Sequence, residues 1–212
     1  MTPLTTSTKI LIAIVILLLT VSGGFFFRAQ NRREKMGGRI SPAKMAWLLY
    51  AVTVWFFLSP IIAFDATVPR SFSVLLGAFS VLMWTRGLVE VLMLYVTKNW
   101  QPPLGMAHNL LCTVFLVAGL YYYRDQGVRF GEPLQPWLLG FVATLVVSLL
   151  VETVYAFLFH KAVAGKTTGG DGVWFASQED SRFRHINRLT ATINVPLYGF
   201  LMLFLAAAYG LW

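Results

Sequence analysis

The chain has 212 residues, of which 57% are hydrophobic and only 12% are charged. A soluble domain carries about a quarter of its residues as charges, so this composition excludes a water-soluble globule. The formal net charge of +8 does not by itself indicate a nucleic-acid partner, because the distribution of charge matters more than its sum. We expect no nucleic-acid binding.

Six apolar runs take up most of the chain. Each run has about 18 to 26 residues, and at about 1.5 Å rise per residue each can cross a hydrocarbon core of about 30 Å. A backbone in lipid must satisfy its own hydrogen bonds, and these runs lack the alternation of barrel strands. The sequence therefore predicts an all-α, polytopic helix bundle that forms a single membrane domain over residues 1–212. The predicted spans are residues 10–27, 45–64, 72–97, 104–123, 137–159 and 189–212.

The first of these runs could be mistaken for a cleaved secretory signal. It is followed by a dense basic cluster, and it carries Phe25 to Phe27 where a cleavage site would fall. These features are typical of a retained anchor. We therefore expect the chain to keep this span and to insert it N terminus first.

Basic residues concentrate in the segments after the first and fifth predicted spans, residues 28–44 and 161–188. By the positive-inside rule these segments are cytoplasmic, which places both termini on the extracytoplasmic side. Their cations are expected to contact anionic lipid headgroups. The expected location is the cytoplasmic (inner) membrane of a bacterium.

The third and fifth spans contain the ionisable side chains Arg86, Glu90 and Glu152. A charge within a span is costly unless it is paired or hydrated, so each of these residues is a candidate functional residue. Arg86 and Glu90 are one helical turn apart and can pair, and this pair alone could hold the third helix inside the bundle. Because Glu152 has no cation one turn away, we expect it to complete a triad with Arg86 and Glu90.

Further polar residues gather in the fourth and sixth spans. In the sixth, Asn194 precedes Pro196, which should kink the helix. The third and fifth spans also resemble each other around their glutamates, which suggests a parallel repeat of helix pairs 3–4 and 5–6. The predicted polar cluster within the membrane consists of Arg86, Glu90, Glu152, His108, Asn109, Asn187 and Asn194.

The longest loop, residues 161–188, ends in a predicted interfacial helix. Ser177 to Asp180 has the form of a capping box, so a short helix should run from about Ser177 to Asn187. Phe183 and Ile186 would face the bilayer. The basic residues of this helix would contact lipid or phosphate, and they are Arg182, Arg184 and Arg188.

The three histidines could join the glutamates as nitrogen and oxygen ligands of a metal. His108, His160 and His185 show no ligand spacing such as His-x-x-x-His, so no metal site is predicted. The sequence also indicates no particular cofactor, which stays unknown.

Three functions are open on the sequence alone. Paired membrane carboxylates and a kinked polar helix fit transport of a small solute or ion coupled to protons. The same residues fit a membrane enzyme that acts on a lipid or isoprenoid headgroup at the cytoplasmic face, with a glutamate or histidine as general base. The chain could also be a noncatalytic subunit, in a homo-oligomer or in a larger membrane complex.

Overall fold

The structure is a computed structural model that describes residues 4–33, 39–97, 102–130, 135–162, 164 and 178–211. Within these residues the chain consists mainly of α-helices joined by short turns. The helices are α1 (Thr6–Arg33), α2 (Pro42–Ala51), α3 (Ser59–Ala63), α4 (Arg70–Val91), α5 (Pro102–Phe130), α6 (Pro136–Ala162) and α7 (Arg184–Tyr209). One π-helical segment connects α2 to α3 (Val52–Leu58), and a second extends α4 (Leu92–Val96).

Six stretches of the described chain are helical, long and apolar enough to cross a membrane. They are Thr6–Arg32, Pro42–Ala63, Arg70–Val91, Pro102–Arg124, Pro136–Ala162 and Ser181–Tyr209. The predicted all-α fold with six spans is thereby confirmed. The side of the membrane on which each end lies and the repeat of helix pairs stay predictions.

In the described part of the chain, five of these spans surround a common interior. Helix α3 packs against α4, α4 against α5, α5 against α6, and α6 against α7, which returns to α2. Helix α1 lies outside this ring and contacts α2, α3 and the π segment between them. Its Leu17, Leu18 and Phe25 are largely exposed, so lipid is the solvent for most of its surface.

The second span is not a uniform α-helix, because Pro60 lies inside it. Proline has no N–H and displaces the carbonyl four residues earlier, which here belongs to Phe56. The Trp84 indole N–H of α4 donates to that carbonyl at 3.1 Å, and the Ser59 hydroxyl donates to the Val54 carbonyl at 2.9 Å. Side chains thus satisfy backbone carbonyls where the π segment replaces the α-helix.

The beginning and the end of the described chain lie together at one end of the bundle, here called the terminal end. The Leu4 backbone N–H donates to the Ala208 carbonyl at 3.0 Å. Lys9 Nζ donates to the Tyr209 carbonyl at 2.9 Å, and the Tyr209 hydroxyl donates to the Lys9 carbonyl at 2.6 Å. These contacts join the start of α1 to the end of α7.

Asp65, in the turn between α3 and α4, fastens the start of α1 to that turn. Its Oδ2 accepts from the Thr5 N–H at 3.0 Å and from the Thr5 hydroxyl at 2.7 Å. Its Oδ1 accepts from the Thr67 N–H at 2.8 Å and from the Thr67 hydroxyl at 2.5 Å. Burial acts to raise the pKa of Asp65, but the hydrogen bonds from Thr67, Thr8 and Thr5 together hold this pKa well below its usual range.

The opposite end of the ring, here called the basic end, joins the start of α2 to the start of α7. The Ser41 side chain caps α2 by accepting from the Lys44 N–H at 3.1 Å. The same hydroxyl donates to Asn187 Oδ1 of α7 at 2.9 Å. Arg39 pairs with Glu179 at 3.4 Å just before α7, so both backbone and side chains close this end.

The interfacial helix predicted from about Ser177 to Asn187 has a different form. Ser177, the first residue of the predicted capping box, lies outside the described residues. Asp180 instead caps a 3-10 turn, Ser181–Phe183, with its side chain. Helix α7 follows directly at Arg184 and continues through the sixth span. The amphipathic segment is therefore the first part of a membrane helix.

Phe183 and Ile186 do not face the bilayer, and that part of the prediction was wrong. Both side chains are buried against α6. The Phe183 ring stacks on the Phe159 ring with centroids 5.4 Å apart and an interplanar angle of 11°. An apolar side chain between two helices has the same sequence signature as one in lipid, so only the contact with α6 distinguishes them.

Asp65→Asn should destabilise the terminal end. An amide cannot accept hydrogen bonds from Thr5 and Thr67 on both sides as the carboxylate does, and a hydrogen bond to a charged group contributes about 1.5–3 kcal/mol. We expect a lower thermal unfolding midpoint in detergent at pH 7. The matched control, Glu179→Gln in an exposed ion pair, should leave the midpoint nearly unchanged.

The contribution of Asp65 should also depend on pH. The pKa of this carboxyl is lower in the folded protein than the unfolded value of about 3.9. Its stabilisation is therefore complete above about pH 5 and is lost as the pH falls toward the folded pKa. The difference in unfolding midpoint between the wild type and Asp65→Asn should shrink on acidification, and a difference independent of pH would contradict this account.

Trp84→Phe should destabilise the bundle because it removes the indole donor from the Phe56 carbonyl. Where lipid replaces water, an acceptor left without a partner costs about 1–3 kcal/mol. In a Pro60→Ala background, residue 60 regains an N–H that can donate to the Phe56 carbonyl. Trp84→Phe should therefore lower the unfolding free energy by less in this background than in the wild type. A double-mutant cycle on the unfolding free energy measures the difference, and additive costs would rule out this role of the indole.

Candidate functional site

A cavity of about 510 Å³ opens between α2, its π segment, α4 and α6. It lies in the half of the ring nearer the basic end, because α2 begins at that end. Its wall combines charged with aromatic side chains. The charged residues are Arg86, Glu90 and Glu152, and the aromatic residues are Trp47, Trp55, Phe56, Phe57 and Trp84.

Arg86 is held at the back of this cavity by three neighbours. Its Nε donates to Glu90 Oε1 at 3.0 Å, one turn along α4, and its Nη1 donates to Asn109 Oδ1 of α5. The guanidinium carbon lies 5.6 Å from the centroid of the Trp55 ring. The Arg86 side chain is only 8% exposed and that of Glu90 is 30% exposed, so the carboxylate is the more accessible member of the pair.

Two glycines lie beside these side chains. At Gly105 of α5 a Cβ would lie 3.4 Å from Arg86 Nη2 and 3.6 Å from Glu90 Oε1, which are ordinary contact distances. At Gly87 of α4 a Cβ would lie 2.7 Å from the Phe56 ring. Gly87 therefore makes room for the Phe56 ring in the cavity wall.

Glu152 reaches the cavity from α6 and is held by α2. Its Oε2 accepts from the Trp47 indole N–H at 2.6 Å. One turn earlier, the Ser148 hydroxyl oxygen accepts from the Trp55 indole N–H at 2.8 Å. Both tryptophans of the second span therefore cross the interior of the ring and fix α6 opposite α4.

Lys44 is a residue of this region that sequence reasoning missed. It was grouped with the basic loop, yet it lies in the first turn of α2 with only 4% exposure. Its Nζ lies 3.3 Å from the centroid of the Tyr155 ring, and its charge is close enough to interact with Glu152 and Glu90. The pair Ser41-Pro42 was the available signal, because serine at the N-cap and proline at N1 mark a helix start.

All three members of the predicted triad line this one cavity. Within the predicted triad, the structure gives a hydrogen bond between Arg86 and Glu90. Arg86 bonds to Glu90 and Asn109, and Glu152 takes an indole N–H as its hydrogen-bond partner in the described structure. Lys44 is a second cation that is close enough to Glu152 for their charges to interact.

The remaining residues of the predicted polar cluster lie beside the cavity rather than on its described wall. His108 Nε2 lies 3.1 Å from the Leu82 carbonyl oxygen, and its Nδ1 lies 3.5 Å from Cys112 Sγ. Asn194 Nδ2 donates to the Ala43 carbonyl at 2.8 Å. Asn187 accepts from Ser41, so both α7 asparagines support the start of α2.

The basic residues at the start of α7 lie apart from the cavity. Arg182, Arg184 and Arg188 are exposed, and Arg182 forms a salt bridge with Asp180. None of the three is among the described residues that line the cavity. Their contact with lipid or phosphate stays a prediction.

Metal-ligating residues are dispersed in the described part of the chain. His160 and His185 are exposed, and His108 bonds within the bundle. No group of three His, Cys, Asp or Glu side chains among the described residues lies close enough to hold a metal ion.

A second cavity, of about 420 Å³, lies between α6 and α7 toward the terminal end. Among its described lining residues there is no ionisable side chain, so it offers no group for proton transfer. These residues are Pro136, Trp137, Gly140, Thr144, Phe200, Leu203, Phe204 and Ala207. The first cavity is therefore the candidate functional site.

No family model, curated protein or solved structure matches this chain. Glu90 and Glu152 supply the carboxyl groups among the described lining residues, whereas arginine stays protonated in proteins. The aromatic wall supplies an apolar and polarisable surface around them.

Arg86→Ala should destabilise the protein more than Arg86→Lys. The alanine variant leaves the Glu90 carboxylate and the Asn109 amide without their cation, and loss of one partner from a largely buried pair costs about 3 kcal/mol. Lysine keeps the charge but not the two directed N–H bonds. We expect Arg86→Ala to have a lower unfolding midpoint than Arg86→Lys and to be less monodisperse in size-exclusion chromatography.

The exposed residue Arg184 provides the matched control, since Arg184→Ala removes a cation without a buried partner. The double variant Arg86→Ala with Glu90→Gln should recover part of the lost stability, because it also removes the unpaired carboxylate. An Arg86→Ala variant as stable as the wild type would contradict the structural role of this side chain.

Proposed function

We propose that the protein is a membrane transporter in which the cavity between α2, α4 and α6 holds a small solute and Glu90 and Glu152 carry protons. One observation supports this proposal above the others. The carboxylates from two different spans converge with Arg86 on a single cavity of about 510 Å³. An ionised side chain that faced lipid, with neither a partner nor a cavity, would raise the free energy of the folded protein.

The accessibility of the carboxylates supports proton exchange. Glu90 is 30% exposed although its partner Arg86 is nearly buried, and Glu152 is partly exposed on the same wall. A carboxyl group that gains or loses its proton changes the charge of the cavity by one unit. That change can couple solute binding to proton release, because a solute of fixed charge interacts differently with the two protonation states.

The backbone beside the cavity also supports transport. The π segment of the second span contributes Val52, Trp55, Phe56 and Phe57 to the wall, and the second π segment begins directly after α4. π-helical turns are frequent at functional sites, and irregular membrane helices recur at transport sites. Each of these turns offers a point where a helix can change its winding around the solute.

The geometry favours transport over chemistry on a phosphate-bearing headgroup. Arg182, Arg184 and Arg188, which were candidates to hold phosphate, are not among the described wall residues. Arg86 already directs Nε and Nη1 to Glu90 and Asn109. An enzyme acting on such a headgroup would need accessible cations at the reacting group.

Glu90→Gln and Glu152→Gln should each lower flux driven by a proton gradient at least tenfold in proteoliposomes. The assay imposes a pH gradient and measures the uptake of neutral, anionic and cationic solutes. Glutamine is close in size to glutamate, and at position 152 its carbonyl can still accept from the Trp47 indole, so Glu152→Gln should keep the wild-type stability. Glu90→Gln removes the charge that pairs with Arg86, so we expect a lower unfolding midpoint for this variant, and flux is compared per folded protein. Monodispersity and the unfolding midpoint check this point.

Glu179→Gln is the matched control, because Glu179 is an exposed glutamate outside the cavity. It should transport as the wild type does. Unchanged flux in both cavity variants would overturn the proton-carrying role. Copurification with a stable partner, together with no flux of any solute, would favour the noncatalytic subunit instead.

A further inference from the structure

We infer that the cavity selects a hydrophobic organic cation. The inference deepens the proposed function, and it depends on transport only for the movement of the ligand and not for its binding. The wall of the cavity has two recognition elements for such a ligand, an aromatic surface and accessible carboxylates.

The aromatic surface comes mainly from the second span and from Trp84 of α4. Trp47 and Trp55 meet at 82° with centroids 5.9 Å apart, and Phe56 and Trp84 meet at 85° with centroids 5.4 Å apart. Trp84 is 51% exposed, so part of its indole is open to a ligand. Aromatic faces attract cations through the ring quadrupole, and tryptophan does so best.

Two cationic side chains of the protein contact aromatic rings in this region. The Arg86 guanidinium lies 5.6 Å from the Trp55 centroid, and Lys44 Nζ lies 3.3 Å from the Tyr155 centroid. These contacts are on the wall of the cavity or directly beside it. Aromatic rings of this region therefore contact cationic groups that are shielded from bulk water.

The more accessible ionisable groups on the described wall are carboxyl groups. Arg86 is 8% exposed and occupied by Glu90 and Asn109, whereas the Glu90 side chain is 30% exposed. Lys44 is buried against Tyr155 and is not among the described lining residues. An anion would find only a nearly buried guanidinium that already bonds to Glu90 and Asn109, whereas a cation can approach the more exposed Glu90 carboxylate.

The cavity suits a hydrophobic molecule in size and in access. Its volume of about 510 Å³ falls within the range of about 300–1,000 Å³ typical of small-molecule sites. Leu88 and Val91 on its rim are 62% and 50% exposed, on the outer surface of α4. A hydrophobic cation dissolved in the bilayer can therefore reach the carboxylates from the side.

Binding would exchange one positive charge for another. A monovalent cation enters as one of the two carboxyl groups, Glu90 or Glu152, gives its proton to water or buffer. The charge of the cavity is the same before and after this step, and no covalent bond other than the O–H bond changes.

Tetraphenylphosphonium and tetraphenylborate provide a test with matched probes, because they have nearly the same shape and opposite charge. Isothermal titration calorimetry of the full chain in detergent should give saturable binding of tetraphenylphosphonium alone. A pH indicator in weak buffer should record about one proton released per bound cation. Glu90→Gln and Glu152→Gln should weaken binding at least tenfold in one or both variants, and the sensitive variant should release no proton.

The aromatic wall is tested by Trp84→Phe and Trp84→Leu. Both changes remove the indole N–H that bonds to the Phe56 carbonyl, so the difference between the two variants isolates the effect of the ring. Phenylalanine keeps a ring and should keep most of the affinity of the folded protein, while leucine should lose at least tenfold. Trp137→Phe, in the other cavity, and Glu179→Gln are the controls and should bind as the wild type does. Equal or tighter binding of tetraphenylborate, or binding of the cation that survives both glutamate changes, would overturn the inference.

The test also separates this inference from the proposed function. If tetraphenylphosphonium does not bind but neutral or anionic solutes show flux that depends on the glutamates, transport stands and the cationic class is wrong. If the cation binds and releases a proton but no cation is taken up by proteoliposomes under a pH gradient, the binding site stands and transport is wrong.

Discussion

A guanidinium inside a bilayer costs several kcal/mol unless protein groups replace its water, and Arg86 meets this requirement with groups from three spans. It bonds to Glu90 on its own helix α4 and to Asn109 on α5, and it lies over the Trp55 ring of the second span. Because these partners come from separate helices, satisfying one charge fixes their relative positions. The cavity is the space left between helices arranged in this way.

The same lack of water governs the backbone. Pro60 removes a donor from the second span, and in water the orphaned Phe56 carbonyl could find a solvent partner. In lipid it accepts a hydrogen bond from the Trp84 indole instead. Trp84, which donates to this backbone carbonyl, also lines the cavity. The π-helical segment of the second span and the proposed site therefore share a side chain.

The two ends of the bundle close independently of the cavity. Asp65 and the contacts between α1 and α7 hold the terminal end, while Ser41 and Asn187 hold the basic end. The charged interior between them is held by indole, carboxylate and guanidinium groups. A change of winding in the π segment could therefore alter the cavity while both ends keep their contacts.

The sequence by itself determined the six spans, the all-α fold and the pair Arg86 and Glu90, because these follow from hydrophobic run length and from a spacing of one helical turn. Tertiary structure decided the partner of Glu152, the burial of Lys44, the aromatic wall and the packing of Phe183 on α6. In lipid a helix is apolar on its outer and inner faces alike, so no apolar stripe marks which way it turns. Contacts such as Trp47 with Glu152, which join residues 105 positions apart, depend on that rotation and therefore could not be found from the sequence.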